Sequence, residues 1–168
     1  MSPDLFNFYD SIDSLLARIS CSLRDSNSET KEISNDSLLE LESLFGQALL
    51  GRALNLVYNK TPIKLYRTTN GTGQLFEVHG SKLDVVYQIY PGVNFCTCES
   101  FRYWVLQQQH QPTCKHVLAT QLALPLGRLT EITIKDKAYV ELKADLIRAR
   151  FRSLQPSNAS AGEGSSKH

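Results

Sequence analysis

The sequence predicts an α+β protein: helices first, then a small antiparallel hairpin sheet, a strand–helix–helix module and a last helix. Three observations carry the prediction. Up to residue 61 the apolar side chains recur every three or four positions, which is the helical period. Past Pro62 the chain changes to short runs rich in Val, Ile, Tyr and Thr, separated by Gly-containing turns. Finally, Cys96, Cys98, Cys114 and His116 gather three of the four cysteines within twenty-one residues.

Ser2-Pro3-Asp4 reads as a helix start, with a capping Ser, Pro in the first turn and an acid near the positive helix end. Phe8, Ile12, Leu15, Leu16, Ile19 and Leu23 then form one stripe, broken by the polar Ser26-Asn27-Ser28. Cys21 lies on this helix and reads as a small core residue. A second start at Asn35-Asp36-Ser37 leads into Leu38, Leu41, Leu44 and Phe45. After Gly46 a separate short helix carries Leu49, Leu50, Ala53, Leu54 and Val57. These stripes suit either an internal core or a partner surface, the first helix being the better candidate for a partner.

Ile63 to Thr68 and Gln74 to Val78 flank Asn70-Gly71-Thr72-Gly73, a hairpin turn. A third strand, Asp84 to Tyr90, turns at Pro91-Gly92 into Val93-Asn94-Phe95-Cys96, so the first cysteine pair is expected to end a strand. Glu99 or Ser100 opens a short helix with Phe101, Tyr103, Trp104, Val105 and Leu106. Lys115 to Leu124 is the next helix, with Val117, Leu118, Leu122 and Leu124 suited to burial. From about Lys135 to Arg152 the chain is helical again, with Tyr139, Leu142, Leu146 and Ile147 as its stripe. The resulting organisation is an N-terminal helix and polar linker (1–34), a helical segment (35–61), the sheet with its Cys/His module (62–124), a C-terminal helix (125–152) and a tail (153–168). The Ser-, Gly- and Ala-rich tail is expected to be disordered.

The cysteine pattern is Cys-x-Cys, fifteen intervening residues, then Cys-x-His. Two close pairs of soft or borderline ligands are what a structural zinc site requires, and a closed set of four leaves no position for substrate. Residues i and i+2 share a face where the chain is extended, so Cys96 and Cys98 can meet one ion. In a helix Cys114 and His116 would diverge by about 200°. The second pair therefore straddles a helix start, with Cys114 before it, His116 in its first turn and Thr113 a suitable cap. Lys115 and Arg102 stand where they moderate the surplus charge of three thiolates. A disulfide framework suits small secreted chains, whereas this chain opens on acidic residues with no basic stretch leading to an apolar one. His110, the rival fourth ligand, sits in a polar run without the paired spacing.

No apolar run approaches the roughly 20 residues needed to span a bilayer, so no membrane partner is expected. The net charge of +1 hides an asymmetry: residues 1–50 hold three basic and nine acidic residues, and residues 51–168 hold fifteen and eight. A basic second half is compatible with nucleic acid, or simply with a solvated surface. Arg102, Lys115, Arg148, Arg150 and Arg152 are the candidate phosphate contacts.

The run Cys96-Thr97-Cys98-Glu99-Ser100-Phe101, followed by Cys114-Lys115-His116-Val117-Leu118-Ala119, resembles the SWIM-type zinc finger over about residues 86–123. SWIM modules occur in transposase-related proteins, chromatin remodellers and ubiquitin ligases, so the finger alone does not name a function. A small protein with Leu38-Leu39-Glu40-Leu41-Glu42-Ser43-Leu44-Phe45-Gly46 before the finger resembles the SWIM-domain subunits of the Shu complex, over about residues 36–147. That resemblance implies one structural Zn2+, a nuclear location and a role in homologous recombination. It implies a heterodimer with a RecA-like recombinase paralogue, acting on single-stranded or branched DNA directly or through that partner. The sequence has no Gly-x-x-x-x-Gly-Lys-[Ser/Thr] phosphate loop, and Gly71-Thr72-Gly73 is a turn. No catalysis, bound small-molecule substrate or ATP turnover is therefore expected. The alternative is an autonomous DNA-binding or transcription factor built on the same finger.

Overall fold

The computed structural model describes residues 3–25, 32–81 and 85–154, with side chains at 12–23, 32–81, 85–145 and 148. Among the described residues the chain forms six helices and a four-stranded mixed sheet. Helix α1 spans Pro3–Asp25, α2 Asn35–Phe45 and α3 Gln47–Val57. Ser34 caps α2, its side chain accepting from the Ser37 amide, so this helix begins one residue earlier than its Asn-Asp-Ser start signal. Gly46 separates α2 from α3 at φ 75°, a left-handed conformation that Gly adopts without a Cβ penalty.

Ile12, Leu15, Ile19 and Leu23 of α1 are buried in the same cluster as Leu41, Phe45, Leu49, Leu50, Ala53 and Val57. In this chain, then, the first stripe serves the core. Cys21 is exposed, a correction to its reading as a core residue. It stands two residues from Ile19, about 200° around the helix from the buried stripe.

Strands β1 (Ile63–Thr68), β2 (Gln74–His79) and β3 (Val86–Ile89) form the expected antiparallel meander. A fourth strand, β4 (Leu129–Ile134), was not foreseen; it lies parallel to β1 in the order β3-β2-β1-β4. The sheet is therefore mixed rather than purely antiparallel. β4 is rich in Thr and Ile, but its partner lies more than sixty residues earlier, and no turn signal links the two.

Helix α4 (Lys115–Ala123) is the centre of the fold, with Val117, Leu118, Ala119, Leu122 and Ala123 almost wholly buried. It packs chiefly against α3, and it also touches β2 and β3. Leu124, expected to be buried, is exposed at the end of this helix. Register puts Ile63, Leu65, Phe76, Val78 and Ile89 on the sheet face that joins this core. Helix α5 (Asp136–Leu154) lies against β1 and is fastened by the Tyr139 hydroxyl, which donates to the Gln74 carbonyl at 3.0 Å. Between β3 and α4 runs a π-helix, Phe101–Gln107, where a short helix was predicted. The polar spacer at 26–28, Asp84 and the tail from residue 155 lie outside the described residues.

Candidate metal centre

The segment Val93–Cys96 is not a strand: it pairs with no ladder, and the Phe95 amide donates back to the Val93 carbonyl at 2.9 Å. This corrects the expectation that the first cysteine pair ends a strand. Pro91-Gly92 turns the chain away from the sheet, and a side chain replaces the ladder. Asn94 Nδ2 donates to the Pro112 carbonyl at 2.9 Å, and Asn94 Oδ1 accepts from the Thr113 hydroxyl at 2.8 Å. Thr113 is therefore engaged across the site instead of capping α4, whose N-cap residue is Cys114 in an extended conformation. That conformation does what the spacing required: Cys114 turns in from outside the helix while His116 points in from its first turn.

Cys96, Cys98, Cys114 and His116 are all buried, and their four ligand atoms lie within 4.8 Å of one another. This cluster can hold a metal ion. Sγ of Cys96 and of Cys114 stand 3.8 and 3.9 Å from His116 Nδ1. Ligand bonds of about 2.3 Å to sulfur and 2.0–2.1 Å to nitrogen, arranged tetrahedrally, put neighbouring ligand atoms roughly 3.6–3.8 Å apart. The donor set therefore fits a tetrahedral dication with little movement. Nδ1 is the nitrogen turned toward the thiols, while Nε2 is buried with no hydrogen-bond partner among the described residues. The ring is held from one side by Tyr87, with centroids 4.2 Å apart.

Backbone dipoles complete the cluster. The Cys98 amide donates to Cys96 Sγ at 3.4 Å, and the Phe101 amide donates to Cys98 Sγ at 3.3 Å. Hydrogen bonds from Cys114 and Cys96 hold the Cys98 thiol far below its ordinary range. Cys96 is pushed strongly upward by its hydrogen bonds with Cys114 and Cys98 and by burial. Cys114 is pushed up to about 11: its hydrogen bond with Cys96 pulls downward, but its bond with Cys98 and its burial outweigh that. A dication must compete with protons on the raised Cys96 and Cys114 thiols.

Of the other candidate residues, His110 is exposed beside Trp104 and takes no part in the cluster. Arg102 stands exposed on the π-helix, 3.7 Å from Glu99. Lys115 opens α4 and donates to the Ser81 hydroxyl at 2.7 Å. Arg148 is on α5, paired with Asp145 at 2.9 Å, so it belongs to a different element from the cysteine module. The side chains of Arg150 and Arg152 lie outside the described residues. Sequence reasoning passed over two features here. One is the Asn94 bridge, for which an Asn two residues before a Cys is no signal. The other is a set of exposed apolar side chains, Phe95, Tyr103, Trp104 and Leu106, each more than two-fifths exposed. Helical spacing alone did not show which of these rings face outward. Grooves flank these side chains, one lined by Phe95, Thr97, Glu99, Arg102 and Leu106 and another by Ser100, Tyr103, Trp104 and Gln107.

The chain is similar to curated proteins named "Zinc finger SWIM domain-containing protein 7". The Mus musculus protein is 28% identical over 131 residues, 78% of this chain and 81% of the relative. The Homo sapiens protein is 28% identical over 114 residues, 68% of this chain and 79% of the relative. The Danio rerio protein is 29% identical over 115 residues, with coverage of 68% and 79%. No family model matches the chain. No solved structure matches it either.

Proposed function

We propose that this SWIM-type zinc-finger protein is a non-catalytic adaptor in homologous-recombination DNA repair. In this reading it pairs with a RecA-like recombinase paralogue in the nucleus and promotes assembly or stability of the recombinase filament on single-stranded DNA. The cluster holds one Zn2+; the relatives' name and the Cys3His donor set support zinc over other metals. Four protein ligands leave the ion no open coordination position, so its work is structural.

The observation that carries the reading is the exposed set of Phe95, Tyr103, Trp104 and Leu106 on the segments that also present Cys96 and Cys98. Aromatic side chains with a neighbouring Arg and few other charges are the composition of a protein-binding hot spot. Zinc would hold that surface in shape, and Arg102 and Lys115 would supplement contact with DNA. Each of these two already has a local partner, Glu99 and Ser81, which favours an adaptor over an autonomous DNA-binding finger.

Affinity purification of the full chain from cells, followed by mass spectrometry, tests the proposal. Recovery of a RecA-like paralogue, lost in a Trp104→Ala variant that still binds zinc, is the expected outcome. Recovery of chromatin or transcription factors alone would refute it. The isolated chain is expected not to turn over ATP. Its own affinity for single-stranded DNA should be weak, with a shallow salt dependence; a steep slope would mean many phosphate contacts and favour the autonomous finger.

A further inference from the structure

The two halves of the metal centre approach it from segments separated by fifteen residues, and the Asn94 side chain joins the stretches leading into them. Asn94 lies two residues before Cys96, and its partners Pro112 and Thr113 lie just before Cys114. Its amide uses both ends, donating to one backbone carbonyl and accepting from one hydroxyl, at 2.9 and 2.8 Å. Neither partner is a ligand, and neither bond needs the ion. Thr113 is itself 5% exposed, so its hydroxyl has little access to water and depends on this acceptor.

We propose that Asn94 is a positioning residue for the metal, a clip that brings the Cys-x-Cys loop to the start of α4 before the ion arrives. The physical need is specific to this site. The loop has no strand ladder to hold it, so in its absence the ion itself would have to close a loop across the intervening residues. Binding then costs the entropy of that closure. With the clip made, the ligand pairs already stand near tetrahedral separation, as the 3.8 and 3.9 Å thiol–imidazole distances show. The inference rests on the metal-centre reading and is independent of any role in recombination.

The test is Zn2+ affinity of the full chain, by competition with a chromophoric chelator, for wild type, Asn94→Ala, Thr113→Val and Thr113→Ser. The clip holds the loop and touches no ligand, so the expected loss is that of removing exposed hydrogen bonds of modest net worth, about tenfold in affinity. Thr113→Ser keeps the hydroxyl and should retain wild-type affinity, whereas Thr113→Val removes one of the two bonds and should lose part of what Asn94→Ala loses. The double variant Asn94→Ala/Thr113→Val should lose no more than Asn94→Ala alone, because one bridge is being removed. Spectra of the Co2+-loaded variants should match wild type, since all four ligands remain. Wild-type affinity in Asn94→Ala overturns the proposal, as does equal affinity in the Val and Ser variants. If Thr113→Val does not fold, the exposed Asn94 variant still decides. A wild-type chain that takes up no Zn2+ would overturn the metal-centre reading itself, a result distinct from either.

Discussion

Cys114 and His116 are separated by one residue, yet they reach the same point because the helix begins between them. The consequence is chemical as well as geometric. Cys98 is held low, while Cys96 and Cys114 are pushed up, Cys114 to about 11. A dication must therefore compete with protons on the two raised thiols. Below about pH 11 metal affinity should rise with pH, because a thiol must lose its proton to bind. Chelator competition at several pH values would measure this; an affinity that does not change with pH would mean that these thiols do not bind the metal. Substituting Cys114→Ser or His116→Ala should lower zinc content from near one per chain, by metal analysis of purified protein. Unchanged content would mean that the ligands are elsewhere. The metal cluster was legible in the sequence because ligand spacing is a local property. Cys21 was misread on residue type alone, since the stripe through Ile19 and Leu23 already put it on the opposite side of the helix.

Among the described residues, α5 is held to the hairpin by specific side chains. Tyr139 lies so close to Gly73 that a Cβ there would stand 2.7 Å from the ring, in addition to 2.9 Å from Thr68. Its hydroxyl bonds the Gln74 carbonyl, and Asn70 Nδ2 donates to Asp136 at 2.5 Å. The hairpin turn is thus also the seat of the last helix. Gly73→Ala should lower stability by about 1–3 kcal/mol, the usual cost of overpacking. Hydrogen exchange should quicken in α5 while the metal affinity stays as it was. If α5 exchanges as in wild type, the contact does not hold the helix. The hairpin itself was readable from Asn70-Gly71-Thr72-Gly73, whereas its role as a seat was not, because Tyr139 is more than sixty residues away. The same distance hid β4, whose pairing with β1 comes from a chain segment no local pattern announces.

Across the whole molecule, α4 joins the apolar core to the metal centre: its first turn carries His116, and the rest is buried between α3 and the sheet. The core cluster extends from Ile12 to Leu126 and includes the three ligand cysteines. The β1–β2 ladder and the α3–α4 packing would not pass through an ion bound at the cluster, so removing metal from the loaded protein should loosen the molecule unevenly. Hydrogen exchange after chelation is expected to speed up at residues 96–116 far more than in β1 and β2. Uniform acceleration would make the metal a global fastener, and no acceleration would make it dispensable. The exposed set of Phe95, Tyr103, Trp104 and Leu106 lies in the part expected to loosen. On the proposed function, chelation should therefore also abolish partner capture.

By itself the sequence determined the α+β class, the order of helices and hairpin, the break at Gly46 and the four members of the Cys/His cluster. All of these follow from periodicity, turn chemistry or spacing within about twenty residues, where the chain's own geometry limits the outcome. Tertiary structure alone decided that β4 joins the sheet in parallel and that the first helix turns its stripe into the core. It also decided that the Cys-x-Cys loop is held by Asn94 instead of by a strand, and that the aromatic set stays uncovered. Each of these depends on which distant surfaces meet. Such meetings are selected by the packing of the whole core, which no short stretch of sequence contains.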